Sequence, residues 1–237
     1  MRQFLPFLLG IIWSSSVTAG VNPNETQHFI ENVGQLKTTD GKSNREVQFI
    51  WSTTGMNVQF RADGLSYDTY QKTSSNEIDF HRLDLNFLHR NSYSTISASA
   101  EVSEELNIIK GANRFEDIPM FQQLTYGDIY PNIDLKAAVN GANFKYDFVL
   151  KKGAEVDDIL LEYKGFDAYA LCANSIDFTL SGRTITESIP KSWLTESGKS
   201  IEVEYRIVEE TSSSVIIGFE ICDSNFEKEG LVIDPEV

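Results

Sequence analysis

The sequence predicts an all-β, antiparallel, sandwich-like fold, with two packed sheets or two β-subdomains as its variants. Three observations carry this. Apolar residues recur at every second position in run after run, the signature of strands with one buried and one wet face. Helical periodicity is nowhere sustained for ten residues; the best stretch, Ala100 to Leu106, is long enough for a single turn. Turn dipeptides, namely Thr54-Gly55, Asp63-Gly64, Asn140-Gly141, Lys152-Gly153, Ser181-Gly182 and Ser197-Gly198, cut the chain at short intervals.

Taken from the N-terminus, the first element is not part of the fold. Arg2 precedes the apolar run Phe4 to Trp13, and small residues follow, with Val17 and Ala19 at the −3 and −1 positions of a cut before Gly20. This reads as a signal peptide over 1–19, since a membrane span needs about 20 apolar residues. The mature module is then 20–237, exported to the cell surface, periplasm or medium, with no membrane span after cleavage. The stretch Thr38 to Asn44 is a polar loop. A strand follows in which Val47, Phe49 and Trp51 alternate with Glu46, Gln48 and Ile50. Leu83, Leu85 and Phe87 form the next apolar face, alternating with Asp84, Asn86 and Leu88. Asn91 to Ser99 is polar and is placed as a hinge between an N-terminal and a C-terminal sheet. Beyond it, Phe144, Tyr146, Phe148 and Leu150 share one face, as do Ile201, Val203, Tyr205 and Ile207, and then Val215, Ile217, Phe219 and Ile221. Asn140-Gly141 suits a type I′ hairpin turn, because both central positions need positive φ. No repeat of 20–50 residues is present, which excludes a propeller or solenoid.

The 237 residues carry 20 Lys+Arg against 35 Asp+Glu, a net charge of −15; loss of residues 1–19 removes only Arg2 and leaves −16. That balance argues against nucleic acid, which is bound by neutralising phosphates, and against docking on anionic lipid. Two Cys and three His supply no Cys/His metal cluster. Export places Cys172 and Cys222 in a compartment that permits a disulfide between them, with two separate buried thiols as the alternative.

Candidate chemistry is sparse. His81 and His89, eight positions apart on a strand, are about 26 Å from each other, too far to share a metal. No GxSxG elbow, HExxH or phosphate-cradling loop occurs, so neither a catalytic residue nor a cofactor is assigned and the chain is read as a non-enzyme. The best acid pair is Asp128 and Asp134, flanking the Pro131-Asn132 turn; a glycosidase pair needs one carboxyl with a raised pKa. Turn chemistry explains the same residues, since Asp side chains hold tight bends through backbone N–H groups. Calcium at Asp157-Asp158 or Asp128/Asp134 lacks the spacing of a known calcium loop. Trp193, Tyr67 and Tyr70 are candidate glycan contacts, while Trp51 belongs to its strand's core face.

Four stretches read together resemble a known family: Phe29-Ile30-Glu31-Asn32-Val33-Gly34-Gln35; Tyr126-Gly127-Asp128-Ile129-Tyr130-Pro131-Asn132-Ile133-Asp134-Leu135; Lys145-Tyr146-Asp147-Phe148-Val149-Leu150 with Gly153-Ala154 and Ile159; and Leu231-Val232-Ile233-Asp234-Pro235. They are similar to an uncharacterised β-rich module at the N-terminus of large secreted or cell-surface proteins, chiefly of Bacteroidota. That module usually precedes SBBP-type propeller repeats, adhesion-type sandwiches or a gliding-motility (type IX) sorting segment. The resemblance covers about residues 28–235 and implies a secreted or surface setting and a β-sandwich-like fold, with no catalytic residue; a protein or glycan partner at the cell surface is expected beside it. Its shared residues Tyr130, Pro131, Asp134, Tyr146, Asp147 and Gly153 read as structural: turn punctuation, amphipathic rings and carboxylates that tie strand ends. The sequence stops just after LVIDP, which reads either as a piece of a longer protein or as a stand-alone module.

Overall fold

The computed structural model describes residues 28–38, 40–72, 78–104, 106–140, 143–221 and 229–236. The expected signal peptide, Cys222, and Gly141 of the expected hairpin turn lie outside them. The described chain is all-β and antiparallel, with one 3₁₀ turn at Val156–Asp158. The stretch Ala100 to Leu106, the best helical candidate in the sequence, contains the end of one strand and the start of another.

The first five strands are β1 (Phe29–Glu31), β2 (Val47–Thr53), β3 (Met56–Arg61), β4 (Gly64–Lys72) and β5 (Ile78–Leu88). After the 91–95 turn come β6 (Ile96–Glu101), β7 (Leu106–Lys110), β8 (Asn113–Ile118), β9 (Met120–Tyr130), β10 (Ile133–Asn140) and β11 (Asn143–Leu150). The last seven are β12 (Leu160–Lys164), β13 (Ala168–Cys172), β14 (Ser175–Leu180), β15 (Arg183–Leu194), β16 (Val203–Glu210), β17 (Ser214–Ile221) and β18 (Leu231–Glu236). Sixteen of them form one sheet, in the order β13-β14-β15-β18-β11-β10-β9-β1-β2-β3-β4-β5-β12-β17-β16, with β6 on a further edge of β9. β7 and β8 pair separately.

Register fixes which side chains face inward. Across β3, β4 and β5, Val58–Tyr67–Leu83 and Phe60–Leu65–Leu85 are directly opposed, and all six are buried to 1% exposure or less. The row between them, Gln59–Ser66–Asp84, is polar and faces outward. The inward rows continue through Tyr163 of β12 to Val215 of β17, and through Phe87 and Leu161 to Ile217. Each such side chain contributes about 1.5–3 kcal/mol on leaving water, so slipping a strand by one residue would forfeit an entire row.

A twisted sheet of this many strands cannot stay open and flat; it curls. Its two ends approach each other here. The Tyr205 N–H of β16 donates to the Ala173 carbonyl beyond β13 at 2.8 Å, and the Ile201 N–H donates to Ser192 of β15 at 2.8 Å. The architecture is therefore one nearly closed, barrel-like sheet, and the expectation of a two-sheet sandwich is corrected. Alternation cannot tell the two apart, because both bury every second side chain. The expected hinge is corrected as well. Strands from either side of 91–99 pair directly, β5 with β12 and β1 with β9. The segment itself is fastened to β9, through Asn91 to the Ile129 and Asp128 carbonyls and Ser94 Oγ to the Gly127 carbonyl.

The β7–β8 hairpin covers part of the outer wall. Leu106, Ile108 and Ile118 pack on Ile30, Ile50 and Met120 to form a second apolar cluster. Ile50, assigned by alternation to the wet face, is buried beneath this hairpin. An isolated two-stranded hairpin is marginal in water, so this packing stabilises both partners.

Candidate functional site

The residues that carry the family resemblance meet in three polar clusters. The first is a knot at one end of β9 and β10. Asn132 holds left-handed backbone at φ 59° in the Pro131-Asn132 turn, and Asp128, at φ 44°, sits where the pairing of β9 with β10 shifts register. Asp134 Oδ1 accepts the Asp128 N–H at 2.8 Å and the Lys151 ammonium at 2.8 Å, and the same ammonium reaches Asp128 Oδ1 at 2.9 Å. The Lys151 N–H donates to the Asn132 carbonyl at 2.8 Å, and Asn132 Nδ2 donates to the carbonyl of Gly153, which takes the turn at φ 81°. The Tyr130 hydroxyl donates to the Leu160 carbonyl at 3.2 Å.

The turn does bring the two acids together, but with a lysine between them. Partial burial pushes Asp134 up, yet the Lys151 ammonium and the Asp128 N–H outweigh it and hold the carboxyl below its usual range. A general acid must keep its proton near neutral pH, so Asp134 is unsuited to that role. Of the calcium candidates, Asp157 is engaged by Arg206 Nη2 at 2.5 Å. Among the described residues no group of three or more His, Cys, Asp or Glu side chains is arranged to hold a metal ion.

The second cluster lies on the outer wall. A row crosses four strands in register, Lys191 of β15, Asp234 of β18, Asp147 of β11 and Lys136 of β10. Lys145, one alternation step along β11, places its ammonium 2.9 Å from Asp234 Oδ1 and 3.4 Å from Asp147 Oδ1. Burial, and then the adjoining Asp234 carboxylate, raise the Asp147 carboxyl to about 6 against the opposing pull of Lys145. The lysine is held protonated more firmly than usual, because its two carboxylate neighbours outweigh the burial that would discharge it.

The third is interior and was not singled out in the sequence. Glu187 of β15 is 2% exposed and has no basic partner in its hydrogen bonds. Its Oε2 accepts the Tyr146 hydroxyl at 2.6 Å, and its Oε1 accepts those of Tyr163 and Tyr205, both at 2.8 Å. Burial raises its pKa, and the three hydroxyls oppose the rise. A signal was available: Glu187 is in phase with Ile185 and Ile189, so alternation puts its carboxyl on the buried face.

The glycan candidates do not assemble. Tyr67 is 1% exposed and stacked on Phe144, and its hydroxyl has no hydrogen-bond partner among the described residues; contrary to expectation it is a core residue, not a glycan contact. Its phase with Leu65 explains the burial. Tyr70 is half-buried with its hydroxyl on the Thr53 carbonyl, and Trp193 is half-buried on the outer wall beside Val232. They sit on β4 and β15, far apart in the sheet order. Cys172 is an exposed free thiol at the end of β13. His81 is spent on local bonds, to the Gly165 carbonyl at 2.6 Å and Ser181 Oγ at 2.8 Å.

The opening motif builds the wall of a cleft of about 470 Å³, which Glu31, Asn32, Val33, Arg45, Phe49 and Ile96 help to line. Asn32 shapes that wall. Its Nδ2 donates to the Asn44 and Val47 carbonyls at 2.6 and 2.7 Å, while its Oδ1 accepts the Gly34 and Leu36 N–H groups.

Fold and clusters together define an all-β, barrel-like module that spends its motif residues on its own architecture. The chain belongs to the family described as a domain of unknown function, DUF7948, whose profile matches residues 29–236. No curated protein and no solved structure matches it. No helix among the described residues is long and apolar enough to cross a membrane.

Proposed function

We propose that the chain is an exported, non-catalytic structural and interaction module of a secreted or cell-surface protein. Its setting is that of large Bacteroidota proteins, in which such a module precedes SBBP-type repeats, adhesion domains or a type IX sorting segment. The observation that carries this reading is the use made of the shared residues. Tyr130, Asp134, Tyr146 and Asp147 all bond within the fold, and none of them lines the cleft at the opening motif. Each is engaged with another part of the same fold, which is an architectural use of its polar groups. A net charge of −16 after loss of residues 1–19 keeps such a module dispersed outside the cell.

Extracellular glycan binding is the competing reading, and it rests on Trp193 with Tyr70. A glycan array and polysaccharide pull-down with purified residues 20–237 separates the two. The structural reading expects no retained glycan. Saturable retention that is lost in Trp193→Ala would replace it with the carbohydrate one.

A further inference from the structure

The Lys145 cluster holds an amine, a carboxyl acceptor and a second carboxyl in mutual contact. Lys145 Nζ is 2.9 Å from Asp234 Oδ1, a hydrogen bond that holds the amine beside the carboxyl group it would acylate. Asp234 is 6% exposed, and the side chains of Lys145 and Asp147 are 28% and 22% exposed, so bulk water has limited access. The adjoining row, Trp193–Val232–Val149, is apolar. Lys191 and Lys136 occupy the row positions flanking the two aspartates, and Glu236 lies opposite Lys145. Asp147 holds its proton up to a pH of about 6.

We propose that Lys145 and Asp234 condense to an intramolecular isopeptide bond, with Asp147 as the proton shuttle. The ammonium of Lys145 and the carboxylate of Asp234 become one amide and one water; nothing is oxidised or reduced. Asp147 passes its proton to Asp234 and takes one from the Lys145 ammonium. The freed amine attacks Cγ of Asp234, forming the new C–N bond. Asp147 then relays a proton from that nitrogen to the departing hydroxyl, the C–O bond breaks, and water leaves. Asp147 ends protonated, as it began. The bond would tie the last strand, β18, to β11 across 89 residues of chain, a covalent clasp that makes no use of cysteine.

The test is the intact mass of the purified full chain under denaturing conditions, with peptide mapping. The expected mass is short of the sequence by one water, and the map contains a branched peptide joining Lys145 to Asp234. Lys145→Arg, which keeps the cation, and Asp234→Ala restore the full mass. Asp147→Asn keeps both reacting groups and leaves most of the chain unlinked. Circular dichroism of each variant verifies folding. An unmodified wild-type mass after prolonged incubation at about pH 6, or a water loss that persists in Lys145→Arg, overturns the proposal.

Discussion

Removing the buried carboxyl of Glu187 should loosen the closure of the barrel. Three hydroxyls, from Tyr146 on β11, Tyr163 on β12 and Tyr205 on β16, converge on this one group. β16 ends the sheet and β15 lies near its other end, so the Tyr205 bond crosses the closure. A buried hydroxyl left without an acceptor costs about 1–3 kcal/mol, and Glu187→Ala orphans three of them and opens a cavity. Removing a carboxyl that itself resists ionisation offsets part of the loss. We expect a net loss of about 3–6 kcal/mol, a large share of the roughly 5–15 kcal/mol that holds a typical protein folded. Urea melts followed by the fluorescence of Trp51, which is 2% exposed, measure it. Glu187→Gln keeps an acceptor for Tyr163 and Tyr205 and should lose under about 2 kcal/mol.

The pH dependence has a definite sign. The folded carboxyl titrates above the ordinary value of 4.5, so the unfolded chain releases this proton first. Stability from this group is therefore full below 4.5 and declines as the pH rises toward the folded value. Glu187→Gln should lack that decline. A Glu187→Ala protein within about 1 kcal/mol of wild type, or an unchanged pH slope in Glu187→Gln, would refute the reasoning.

Two further outcomes are expected. Asp147 is raised from 3.8 to about 6 in the folded chain, so its ionisation lowers stability between those values. Urea melts across that range in a Lys145→Arg background should show a shallower decline once Asp147→Asn is added. Asn32→Ala removes four hydrogen bonds that shape the opening loop and should cost about 2–4 kcal/mol, with faster hydrogen exchange at the Gly34 and Leu36 amides.

Much of the local structure was legible in the chain. The apolar face of Val47, Phe49 and Trp51 lies on β2, and that of Phe144, Tyr146, Phe148 and Leu150 lies on β11; all seven are buried. The Asp128–Asp134 turn uses its carboxylates as turn chemistry dictates, one of them on a backbone N–H. Phase along β4 separates the two tyrosine candidates. Tyr67 shares the face of Leu65 and is core, whereas Tyr70 falls out of that phase and stays half-buried. Ile50 was assigned to water because nothing near it in the chain announces the β7–β8 hairpin that covers it. Cys172, in a run of apolar residues, is exposed because it shares the outward face of Ala168 and Ala170, while Tyr169 and Leu171 alternate toward the core.

The strands, most of their faces and their turns are written in the chain, because the two-residue period and the turn dipeptides act over a few positions. Closure into one barrel-like sheet, and the meeting of particular polar groups, arise in the folded molecule. Tyr146 finds Glu187 across 41 residues and Lys145 finds Asp234 across 89. Such meetings depend on strand order and register, which emerge when every inward row is buried at once, and no single stretch of chain contains that information.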